Sequence, residues 1–249
     1  MSKFTILSCD GGALKGVLPS EILAMIEKYV EGNVGNVFDM FAGTSTGSIV
    51  ATAMAYGMSA TDLISLYKRI GPLIFKKNKL TTLDALQKFA RITRDSMYDN
   101  NVLEKHFKIV LKDATFADLK PYLVVPYTNL SENKTSVFTN INAQNNDVKL
   151  STATMCSCAA PIFFKPIKRG GSLYCDGGLF ANNPTLIAVM RAHCDLGIPF
   201  ENIRVVSIGC GHAKDVYTYK PNQHWGLFGN WNGLKLMDTI FYLHRRSVN

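Results

Sequence analysis

Several protein classes are excluded by what this chain lacks. Its six cysteines are scattered, with no Cys-x-x-Cys pair, and no His/Cys cluster has zinc-finger spacing. No metal site is therefore expected. Cys156 and Cys158 would share a face in a strand, yet all six thiols read as reduced and mostly buried, which points to the cytosol. No apolar run approaches the ~20 residues of a membrane span. Met1 to Ile6 enters a strand-like segment at once and leaves no room for a signal peptide. Zinc fingers and RNP sequences are missing, so nothing beyond charge argues for nucleic acid. Repeats, low-complexity tracts and linkers are absent too, and residues 1–249 are expected to form one domain. Histidine is scarce: His106, His193, His212, His224 and His244 are the only candidates for a histidine base.

What is present suits a soluble α/β protein. The chain is 47% hydrophobic and 18% charged, enough apolar content for a well-buried core. Its formal charge of +8 suits an anionic partner, an anionic membrane surface among them. Phe4–Ser8 reads as a strand, followed by a glycine-rich loop, Cys9 to Gly16. A helix then runs to about Glu31, with Leu18, Ile22, Met25, Ile26 and Tyr29 on its apolar face. Further helices are expected after Ser59, over Leu83–Ile92, Asn101–Lys112 and Val148–Cys158, and from Asn182-Asn183-Pro184 to Cys194. Strands are expected at Leu123–Thr128, Ser136–Thr139 and Leu173–Cys175. Ile203–Gly209 is apolar enough for the middle of a parallel sheet.

One stretch organises the rest. Val37 to Ala51 runs from an apolar segment through Gly43-Thr44-Ser45-Thr46-Gly47 into small and apolar residues. That is strand, sharp turn, helix. A serine at such a turn is lifted out of the sheet with its hydroxyl exposed, and the flanking glycines remove Cβ atoms that would collide. The amide after Ser45, at the helix start, points where a developing oxyanion would sit.

The glycine loop Gly11-Gly12-Ala13-Leu14-Lys15-Gly16 presents amides at a helix start, an anion site. As a nucleotide P-loop it fails, because Lys15 precedes the last glycine. As a dinucleotide fingerprint it fails at Ala13. An oxyanion loop needs only two or so convergent amides, which this loop supplies. Two residues compete as proton acceptor for Ser45. His212 follows the last strand, in the Ser…Asp…His order of ordinary α/β hydrolases. Asp176 ends a strand before Gly177-Gly178, and a buried carboxylate of raised basicity could act directly on the serine.

Together these pieces resemble the patatin-like phospholipases. The match lies in Cys9 to Gly16, Gly43 to Gly47, Cys158-Ala159-Ala160-Pro161 with Phe163-Phe164, and Asp176-Gly177-Gly178 with Asn182-Asn183-Pro184. It spans residues 4–210, and the tail 211–249 matches nothing. The resemblance implies a three-layer α/β/α sandwich with a mainly parallel central sheet. It implies a Ser45–Asp176 dyad without histidine, and an oxyanion loop of Gly11, Gly12 and Ala13 with Lys15 in its basic position. Where the family has a third glycine this chain has Ala13, for which φ > 0 would be costly. The implied activity is phospholipase A-type hydrolysis of membrane or other acyl lipids, with no metal or cofactor. Some bacterial members are membrane-degrading effectors switched on by a partner or a nucleotide signal. The alternatives are a triad esterase using His212 and a catalytically idle nucleotide- or phosphate-binding protein. Two stretches, Lys68–Lys79 and Trp225–Arg246, set cations beside large apolar groups, as a peripheral membrane surface would.

Overall fold

The computed structural model describes residues 3–74, 96–211, 217–218 and 232–246. Its elements are β1 (Phe4–Cys9), α1 (Val17–Val30), β2 (Met40–Gly43), α2 (Thr46–Ala55), α3 (Ala60–Ile74), α4 (Asn100–Leu111), β3 (Tyr122–Asn129), β4 (Lys134–Thr139), α5 (Leu150–Cys158), β5 (Ile167–Arg169), β6 (Ser172–Asp176), α6 (Gly178–Ala181), α7 (Thr185–Cys194), β7 (Ile203–Ile208) and α8 (Gly233–Arg246). The helix expected over residues 83–92 and the tryptophans at 225 and 231 lie outside the described residues, as does His212.

The strands form one sheet in the order β5-β6-β3-β2-β1-β7, with β4 also on β3. The contiguous strands β3, β2, β1 and β7 run parallel. β4 and β6 join β3 antiparallel, and β5 joins β6 the same way. Alternation along the strands divides the core between two faces. Leu7, Cys9, Phe41, Leu123 and Val125 point to a large cluster built with α2, α3, α4 and α5. Ile6, Met40, Ala42 and Val124 point the other way, onto Ala188 and Ala192 of α7. Helices on both faces make three layers. Every residue of α2 from Thr46 to Ala55 is buried, because its small side chains let it sit between the sheet and the outer helices.

Register sets the functional end. Cys9 of β1 pairs with Gly43 of β2, so the glycine loop and the serine turn leave the sheet side by side. β3 pairs with β2 through Tyr122–Val124 and then with β6 through Tyr127–Asn129. Asp176, opposite Tyr127, therefore arrives next to where β2 stops.

Two expectations need correction. The buried face of α1 is Pro19, Ser20 and Leu23, with Ile22 and Ile26 partly covered. Leu18, Met25 and Tyr29 are 47%, 70% and 89% exposed. The helix carries two overlapping apolar stripes, and periodicity does not choose between them. Its entry does: Gly16 is pressed against Thr46 and Tyr67, which turns the Pro19–Leu23 side inward. The second correction concerns β7, which among the described residues lies at the sheet edge and pairs with β1. Arg204 to Ser207 are exposed along it. An apolar run signals a strand, but does not say how many neighbours the strand has.

Candidate active site

Ser45 sits between β2 and α2 with φ 54° and ψ −125°. A non-glycine residue is held there only when its surroundings over-determine it, and such strain gathers at functional turns. The surroundings are tight. A Cβ on Gly43 would strike the carbonyl of Gly47, and one on Gly47 would strike the carbonyl of Cys9 and come within 2.6 Å of that of Asp10. These contacts are with backbone, which cannot swing aside. Thr44 Oγ1 donates to the Ala181 carbonyl oxygen at 2.7 Å, tying the turn to α6. The Ser45 amide donates to Ser157 Oγ at 3.0 Å, and the Cys158 thiol donates to the Ser45 carbonyl oxygen at 3.2 Å. Burial, and then the neighbouring Asp176 carboxyl, push the Cys158 thiol well above its usual range, so it stays a neutral donor.

Asp176 is fully buried at the end of β6. Its amide donates to the Ala159 carbonyl at 3.1 Å, and its carbonyl accepts from Thr128 Oγ1 at 3.2 Å. Its Oδ1 accepts from the Gly178 amide at 2.7 Å. Oδ2 has no hydrogen-bond partner among the described residues. Burial raises the carboxyl from 3.8 to about 7, against the opposing pull of the Gly178 amide and of the Ser45 hydroxyl beside it. That approach falls short of a full hydrogen bond, since Oδ2 remains unpartnered. Loose geometry of this kind is usual before substrate is bound. A carboxyl poised near neutrality can both take and return a proton at physiological pH.

The glycine loop packs directly on the serine. A Cβ on Gly11 would lie 3.2 Å from Ser45 Cβ and clash with Asn182 Oδ1. The Gly11 amide donates to the Asn182 carbonyl oxygen at 2.9 Å. The Gly11 amide is thus engaged, and the Lys15 amide donates to the Gly12 carbonyl oxygen at 3.0 Å. Ala13, Leu14, Lys15 and Gly16 form a 3-10 turn, a right-handed conformation that alanine adopts without strain, so the missing third glycine does not disturb the loop. Lys15 is exposed. Asn182 also donates to the Phe241 carbonyl at 2.7 Å, anchoring α8 beside the site.

Ser45 opens into an apolar cleft of about 430 Å³, counting its open mouth. Ile49, Ile70, Ile74, Leu103 and Phe164 are among its lining residues. These come from α2, α3, α4 and the segment after α5. Apart from Phe164, which lies in one of the four motifs, no short motif signals them, nor the partner hydroxyl of Ser157, because they meet only through packing. Among the described residues no group of three or more His, Cys, Asp and Glu side chains could hold a metal. No described helix is long and apolar enough to cross a membrane.

Known proteins resemble this chain. The family model described as patatin-like phospholipase matches residues 7–189. A cGAMP-activated phospholipase of Vibrio cholerae is 31% identical over 98% of this chain and 74% of its own length. Patatin-like protein 1 of Arabidopsis thaliana is 27% identical over 91% of the chain and 64% of its own length. The crystal structure of VipD from Legionella pneumophila superposes with a TM-score of 0.52 over 84% of this chain and 50% of that one. At 15% identity it supports the fold alone. These relatives support a lipid hydrolase, and with most of the chain matched, from the first core strand to α7, it belongs to the patatin-like phospholipase family.

Proposed function

We propose that this protein is a phospholipase A-type lipid acyl hydrolase working through a Ser45–Asp176 dyad. The observation that carries this reading is the strained Ser45 beside a buried carboxyl of raised basicity, at the mouth of an apolar cleft. The acyl chain lies in that cleft, where each buried methylene contributes about 0.8 kcal/mol. Asp176 takes the proton from Ser45 Oγ as the oxygen attacks the ester carbonyl. The oxyanion is held by the amides of Gly12 and Ala13 at the start of the 3-10 turn. Collapse expels the lyso-lipid alkoxide, which receives the proton from Asp176, and the acyl-enzyme remains. Water then attacks, giving its proton to Asp176. The fatty acid leaves, and the proton returns to Ser45. Gly43 and Gly47 act by letting backbones approach, and Gly11 by leaving room for the Asn182 side chain. These residues supply every proton and electron-pair movement in the reaction, so it calls for no cofactor.

The working surface is a phospholipid membrane, approached peripherally from the cytoplasm. The similarity to a cGAMP-activated phospholipase supports regulation by a cyclic dinucleotide. The test is hydrolysis of a phospholipid by three purified variants. Ser45→Ala and Asp176→Asn should each lose several orders of magnitude in turnover while remaining folded, and His212→Ala should keep most activity. An inactive but folded His212→Ala would replace the dyad by a triad.

A further inference from the structure

A second cleft lies on the outer side of the acyl pocket wall. It encloses about 1030 Å³, counting its open mouth, between α4, the start of α5 and β5. Its charged lining is Lys108, Lys112, Lys149, Lys168 and Arg169 against Glu104 and Asp113. Both carboxylates are already engaged, Glu104 by Lys108 at 2.7 Å and Asp113 by Lys149 at 2.6 Å. Both pairs are exposed, and exposed pairs are weak and readily exchanged. Lys112, Lys168 and Arg169 face no carboxylate within ion-pair distance among the described residues. Ser151, Thr152 and Asn100 add polar groups, while Met155 and Ile167 add apolar surface.

We propose that this cleft binds a soluble, phosphate-bearing nucleotide and that its occupancy bears on the acyl pocket. Five cations line a concavity with about 440 Å³ of space for a bound molecule, within the range of small-molecule sites, which fits multiply charged phosphodiesters better than it fits a flat bilayer. The two clefts share their walls. Helix α4 gives Leu103 to the acyl pocket and Glu104 and Lys108 to the basic cleft, and Lys112, which caps its C-terminus, also lines that cleft. Helix α5 gives Cys158 to the first and Ser151, Thr152 and Met155 to the second. The segment after α5 gives Phe164 to the first and Pro166 to Arg169 to the second. Asn100 fastens these elements together: its side chain donates to the Lys165 carbonyl at 2.8 Å and accepts from the Lys165 amide at 3.1 Å. A ligand that draws Lys112 and Lys168 together clamps α4 against this segment. It also fixes the helix whose far end holds Ser45 through Ser157 and Cys158.

The inference rests on the proposed regulation only for its probe, cGAMP. The experiment is calorimetric titration of the full chain with cGAMP, in the wild type and in Ser45→Ala, so binding is read whether or not the protein hydrolyses lipid. Saturable binding that weakens steeply with salt is expected in both. The double variant Lys112→Glu/Lys168→Glu should bind at least tenfold more weakly. Asp113→Asn, which frees Lys149 and removes a competing charge, should bind severalfold more tightly, a gain that misfolding cannot mimic. No binding, or equal affinity in all forms, would overturn the proposal. So would an effect of the double variant confined to vesicles of phosphatidylglycerol.

Discussion

Asp176→Asn should abolish hydrolysis and at the same time make the protein more stable, by an amount that depends on pH. Burial holds the native carboxyl near 7, against 3.8 for the ordinary group. Between those values the unfolded chain has released its proton and the native protein has kept it. The native state thus binds more protons, and stability falls as pH rises. The stability associated with the neutral carboxyl is complete below about pH 4 and is lost through pH 7. Each unit is worth about 1.4 kcal/mol, so the full penalty above pH 8 is roughly 4 kcal/mol, with somewhat under half of it already present at pH 5. Asparagine cannot ionise, and its amide oxygen can still accept from the Gly178 amide. The advantage of the variant should therefore grow by about 2–3 kcal/mol from pH 5 to pH 8, or about 5 °C in melting temperature for a chain of this length. Urea or thermal unfolding of both proteins at the two pH values measures it. In the wild type, the ionised fraction of a group near 7 rises from about one tenth at pH 6 to about nine tenths at pH 8, and kcat/KM should follow. A stability difference that is the same at pH 5 and pH 8, or activity that is flat from pH 5 upward, would refute a carboxyl of raised basicity.

Other perturbations test separate parts of the site. Gly47→Ala forces a Cβ onto the Cys9 and Asp10 carbonyls and should lower stability by several kcal/mol, read by chemical denaturation; an unchanged midpoint would mean that the turn relaxes. Gly12→Val should lower turnover roughly 10²-fold, the scale of one oxyanion donor, and unchanged turnover would move the oxyanion hole elsewhere. Ile74→Trp narrows the acyl cleft and should raise KM for long-chain esters far more than for short-chain ones, measured on an ester series; equal effects would remove the chain from that cleft. With a charge of +8, the protein should co-sediment with anionic vesicles more than with neutral ones, and less at high salt as screening shortens the reach of exposed charges to below ~10 Å. Equal, salt-indifferent binding would reduce the charge to a solubility feature.

The turn at Ser45 was legible because its demands are local. A strand entering a helix through one residue needs glycine on both sides, and residues 43–47 carry that requirement in five letters. Most strands and helices were legible for a similar reason, since periodicity and turn residues act over a few positions. The resemblance joined the four motifs into one expected site, and the register of β1, β2, β3 and β6 accounts for their convergence. Some features had no local signal. Two apolar stripes on α1 satisfied the same periodicity, and only the packing of Gly16 on Thr46 and Tyr67 selected the inner one. The apolar run of β7 fitted a central strand, yet strand order is set by which edges remain unpaired. The sequence by itself determined the local conformation of the serine turn and named Ser45, the glycine loop and the strand-ending Asp176 as candidates. Tertiary structure decided the basicity of Asp176, the engagement of the Gly11 amide by Asn182, and the lining of both clefts, because desolvation and packing depend on atoms far apart in the chain.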